Sequence, residues 1–212
     1  MANTISSRKQ IVTLVQLALF TAIIFVMAFT PLGYLRVGAV QITFLMIPVI
    51  IGAIVIGPTG GAILGGMFGI TSLIQCFGLD WFGTTLFSIN ALYTVILCII
   101  PRIAMGLLAG LIFRVVSKVD KTKIISFAVA SLTGPLLNTT FFMTGLIVMF
   151  GNTSFILGIQ EELNTPSVIS FIVAFVGFNG IIEAIVSFVM GSALSKVLVR
   201  FIPSGDKSSE KK

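Results

Sequence analysis

A single cation inside an apolar run constrains this chain more than any other feature. Residues 91–113 read ALYTVILCIIPRIAMGLLAGLIF, with Arg102 as their one charge and Pro101 immediately before it. A run of this length and apolarity is long enough to cross a bilayer as a helix. A helix starting near Ala91 carries Arg102 roughly 16 Å along its axis, about half of a ~30 Å hydrocarbon core. Arginine at that depth costs at least ~2.5–3.5 kcal/mol against lipid, so the side chain must face protein or a wet cavity. Two readings stand: Arg102 grips an anionic ligand, or it belongs to a structural ion pair.

The rest of the chain supports a membrane setting. Only 9% of its residues are charged and 57% are hydrophobic, whereas soluble domains carry about 25% charged residues. The expected fold is an all-α integral membrane protein, a single domain over residues 1–212 with flexible polar ends at 1–9 and 203–212. There is no histidine, which removes the commonest metal ligand and any serine–histidine or cysteine–histidine catalytic pair. Cys76 and Cys98 lie in apolar runs and form neither a disulfide framework nor a metal-ligand spacing. The glycine-rich stretch at 57–66 lacks the Lys-Ser/Thr of a phosphate-binding loop. No cofactor, metal or enzymatic activity is expected, and any ATP-driven process needs another subunit.

Apolar runs and breakers divide the chain into six helices, at residues 10–30, 42–56, 61–76, 91–116, 124–150 and 167–202. Polar or breaker-rich loops separate them at 31–41, 77–90, 117–123 and 151–166, with a tight turn at Gly57-Pro58-Thr59-Gly60. The second and third runs fall short of the ~20 residues a straight span needs. They are two short helices or one re-entrant hairpin. Charge favours two helices. With the N-terminus in the cytoplasm, eleven lysines and arginines lie on the inner side and only Arg36 on the outer side. That asymmetry is a positive-inside signal and puts both termini in the cytoplasm. Trp81, beside a polar segment, reads as an interfacial anchor.

Few other polar residues enter the membrane. Asn179 and Glu183 are one turn apart on the last helix. Asn138 sits midway along the fifth, and Gln75 ends the third. Arg102, Asn138, Asn179 and Glu183 fall at one central depth, the level a binding site needs and also the level a buried structural network needs. An Arg102–Glu183 pair would serve the second purpose. Small-residue stripes form a second signal: Ala18 and Ala22 on the first helix, Gly61, Gly65 and Gly69 on the third, Ser187, Gly191 and Ser195 on the last. Each permits close approach of another helix. For the third and sixth helices internal packing is the simpler explanation.

The stretch IPVIIGAIVIGPTGGAILGGMFGITSLIQ (47–75), with PRIAMGLLAGLIF (101–113), GPLLNTTFFMTG (134–145) and NGIIEAIVS (179–187), resembles the S components of energy-coupling factor (ECF) transporters. The likeness runs from about residue 10 to 200 and leans towards the pantothenate-type branch. It implies a multi-pass protein of the bacterial plasma membrane that captures a vitamin from outside. It also implies a complex with a transmembrane T component and two ATPase subunits, and Ala18 and Ala22 match the family's T-docking motif. On this reading Arg102 holds a carboxylate, which suits pantothenate, while Asn138, Asn179, Glu183 and Gln75 meet its amide and hydroxyls. The outer-loop residues Tyr34, Arg36, Trp81 and Asn90 complete the expected site. Folate and cobalamin remain alternative substrates. A structural or regulatory membrane subunit and a small membrane enzyme remain alternative functions.

Overall fold

The computed structural model describes residues 2–37, 40–120, 124–165 and 167–201. They form α1 (Ala2–Ala28), β1 (Tyr34–Val37), β2 (Val40–Thr43), α2 (Met46–Val55), α3 (Pro58–Gln75), α4 (Trp81–Ile89), α5 (Ala91–Val119), α6 (Ile124–Phe150), α7 (Ser154–Glu162) and α8 (Val168–Phe201). Three helices among the described residues are long and apolar enough to cross a membrane: Gln10–Ala28, Ala91–Val119 and Ile125–Phe150.

The long helices fall where hydropathy puts them, with one extension. α1 begins at Ala2, so the backbone of the segment expected as a frayed end forms the helix's first turns. Its inner face is a stripe at fourfold spacing, Gln16, Phe20, Ile24 and Ala28, all buried. Ala18 and Ala22 lie on the outer face, exposed among Leu14, Val15, Leu19 and Val26.

Three segments expected as loops, or as helix, are built differently. Within residues 31–43, β1 and β2 pair antiparallel with Tyr34 opposite Thr43 and Val37 opposite Val40. The alternation of β-branched and polar residues in VQIT favours a strand over the helix start expected at residue 42. The 77–90 loop contains α4, whose N-cap Asp80 accepts a hydrogen bond from Gly83 N at 2.7 Å. The 151–166 loop contains α7, capped by Thr153 and pinned by the fully buried Ile156.

α2 is a core helix, buried along all of its length and only about 15 Å long at the α-helical rise. Pro48 occupies its third position, where the missing N–H is one the first turn leaves unpaired anyway. Gly57, at φ 107°, turns the chain into α3 in a conformation that favours glycine. So the second and third apolar runs are separate helices.

α3 and α5 meet backbone to backbone. A methyl added to Gly61 would strike the Gly106 carbonyl, and one added to Gly65 would strike the Arg102 carbonyl. At Gly69 it would come within 2.8 Å of the Ile99 Cα. The glycine stripe of α3 is therefore an internal seam, as the simpler reading had it. Two apolar clusters flank it. One joins Phe20, Ile24, Ile50, Leu64, Phe68 and Met105; the other joins Leu86, Leu97, Met143, Leu146, Ile156 and Phe171. Along α5, Arg102 falls between Leu97 of one cluster and Met105 of the other.

Candidate functional site

Arg102 is drawn inward by the close α3–α5 approach and is only 9% exposed. Its Nη1 donates to the Leu97 carbonyl at 2.7 Å. The guanidinium carbon lies 4.8 Å from the Phe142 ring centre on α6 and 5.6 Å from that of Phe68 on α3. Three helices thus converge on one cation, and the two aromatic rings supply favourable quadrupole contacts at that distance.

Glu183 on α8 meets the hairpin. Its Oε1 accepts from the backbone N–H of Thr43 at 2.8 Å, which ties β2 to α8. Asn138 lies one turn before Phe142 on α6, half-buried. Its Oδ1 is enclosed with no hydrogen-bond donor among the described residues. That is a buried acceptor ready for a donor, on the same helix as Phe142.

Three other expected site residues make contacts within the fold. Gln75 Nε2 donates to the Ala28 carbonyl at 2.8 Å, joining the ends of α3 and α1. Asn90 caps α5, its Oδ1 accepting from Tyr93 N at 3.1 Å. Trp81 opens α4 and is 70% exposed, with an edge contact to Phe155 of α7 at 5.6 Å. The side chains of Tyr34, Arg36 and Asn179 lie outside the described residues, as do the polar end 203–212 and Lys121–Lys123.

The structure also brings together groups that sequence spacing did not pair. Cys76 and Cys98 are both free thiols, with their sulfurs 3.7 Å apart. Phe68 and Leu97 join the Arg102 cluster without any motif to announce them. Gln16 Nε2 and Ser131 Oγ are buried with no partner among the described residues. For Gln16 the signal was available: it is a lone amide in an otherwise apolar stretch.

A nearly buried cation between two aromatic rings, inside a bundle of apolar helices, is a feature of a membrane protein and not of a soluble domain. The chain belongs to the substrate-specific components of ECF transporters, a family that matches residues 12–195. It is also 30% identical over 195 residues to the pantothenate transporter PanT of Leuconostoc mesenteroides subsp. mesenteroides, an alignment covering 85% of this chain and 88% of that relative. The protein is therefore an integral membrane, substrate-binding subunit of an ECF importer rather than an enzyme. Its family places it alongside transmembrane and ATPase components.

Proposed function

We propose that this S component captures pantothenate, with Arg102 clamping the carboxylate. The observation that carries the proposal is the Arg102 guanidinium, nearly buried and walled by Phe68 and Phe142. A cation at that depth is suited to an anion stripped of water. The likeness to a pantothenate transporter supports the same nutrient. Asn138 Oδ1 accepts from a ligand hydroxyl or amide. Asn179 sits on the same helix as Glu183 and contributes from the α8 side. Tyr34 and Arg36 on the hairpin, with Trp81 and Asn90 on α4 and its C-terminal boundary, close the outer end.

The bundle crosses the membrane six times, through α1, the hairpin with α2, α3, α5, α6 and α8, and both chain ends face the cytoplasm. Arg114 lies beside the Gly57 turn, and a cation there supports the reading that this turn is on the inner side. The exposed face of α1 around Ala18 and Ala22 receives the T component, and two ATPase subunits drive uptake.

Mass spectrometry of small molecules copurified with the protein tests the substrate. Pantothenate is expected; folate, cobalamin or another uncharged or larger nutrient in its place overturns the assignment. Arg102→Ala removes the cation and leaves the carboxylate unpaired, a cost of roughly 2–5 kcal/mol. Affinity for pantothenate then falls about 30-fold or more. Arg102→Lys recovers only part, because an ammonium lacks the planar fork. Unchanged affinity in a folded Arg102→Ala protein overturns the clamp.

A further inference from the structure

We infer that Pro101 is a positioning residue for Arg102: it frees the Leu97 carbonyl, and that carbonyl holds the guanidinium in place. In an α-helix the carbonyl of residue 97 accepts from the N–H of residue 101. Position 101 is proline, inside α5, and proline has no N–H to give. The vacated acceptor is buried, since Leu97 is 1% exposed, and a buried carbonyl demands a donor. Arg102 Nη1 supplies it at 2.7 Å. One residue creates the acceptor and the next fills it.

The bond directs the side chain back along α5, towards the helix start, and fixes one end of the guanidinium plane. Phe142 and Phe68 hold the plane from α6 and α3. The carboxylate-binding face is thus ordered before ligand arrives, and binding does not have to freeze a flexible arginine. This rests on the clamp reading above. An unfrozen, rotamer-rich side chain lowers affinity by roughly two- to tenfold.

The test compares Pro101→Ala, Arg102→Ala and their double variant in the full-length protein, with two probes. Pantothenate carries the carboxylate, and its alcohol analogue panthenol does not. Pro101→Ala restores the helix N–H to Leu97, so its melting temperature should not fall. Its pantothenate affinity should fall about fivefold, with panthenol affinity unchanged. In the Arg102→Ala background the same substitution should change neither probe, because no guanidinium remains to position. Equal loss for both probes, or additive losses in the double variant, overturns the inference. If Arg102→Ala weakens pantothenate strongly and Pro101→Ala does not, only the positioning role fails. If Arg102→Ala leaves pantothenate unchanged, the clamp fails and takes this inference with it. A ligand-free readout comes from melting temperatures of the same four proteins. Arg102→Ala should cost more with Pro101 present, where it orphans the Leu97 carbonyl, than in the Pro101→Ala background. Additive melting shifts overturn the inference whatever the substrate is.

Discussion

Two stripes of small residues share one spacing and meet opposite fates. Gly61, Gly65 and Gly69 on α3 press against the backbone of α5, leaving no room for a methyl. Ala18 and Ala22 on α1 look outward from the bundle, while Gln16, Phe20 and Ile24 of the same helix face in. The i, i+4 pattern says only that a helix can approach closely. Whether the approaching helix belongs to this chain is decided by the residues between. On α1 the neighbours of the stripe are large and apolar and also exposed, so the whole face stays open to lipid or to another protein. On α3 the stripe is filled by the backbone of α5, including the Arg102 carbonyl.

The largest effect that sharpens this contrast is expected at Gly65. Gly65→Leu pushes a branched side chain into the Arg102 carbonyl, which belongs to a packed backbone and cannot swing away. The cost should exceed the ~1–3 kcal/mol of ordinary overpacking, and size-exclusion profiles in detergent should show little folded protein. A monodisperse, ligand-binding Gly65→Leu protein would break the comparison. Next comes α1. Ala22→Trp should leave stability within about 0.5 kcal/mol, as surface substitutions do, and leave pantothenate binding intact. Uptake and copurification with the T component should both be lost. Lost ligand binding with an intact complex would make the α1 stripe an internal seam after all. The smallest perturbation is a label. With Cys76 and Cys98 replaced by serine, Asn152→Cys should react with an impermeant reagent from outside, and Ser117→Cys should not. The reverse pattern would invert the bundle and put α1's open face in a different relation to its partner.

Much of this was legible from hydropathy, because a membrane span is defined by composition over some twenty residues. α6 occupies the span expected for it, and α5 starts at the expected Ala91. The buried cation was also plain, since one charge in an apolar run has few places to go. What escaped were features fixed by short-range bonds or by contacts distant in sequence. α4 depends on an Asp80 cap and on burying Gly83 and Leu86. The hairpin is held at one end by Glu183, 140 residues further along the chain. Asn90 and Gln75 were read only for a ligand, Asn90 in an outer loop and Gln75 at the end of the third helix. Yet a helix start and a helix end each present backbone groups that polar side chains satisfy, and these two do so. Phe68 was indistinguishable among 19 phenylalanines, and Phe142, though spaced to share a face with Asn138, had no link to Arg102 until the packing set both rings around the guanidinium.

The glycine seam also has a mechanical side. Helices in backbone contact along three successive turns resist sliding and splaying, so α3 and α5 behave as one stiff plate. Phe68 rides on one half of that plate and Arg102 on the other, which locks their spacing through any tilting of the subunit. Phe142 and the Glu183–Thr43 tether belong to α6, α8 and the hairpin, outside the plate. Under the proposed clamp, a change in the grip on a bound anion would therefore come from those elements, because the plate carries the cation.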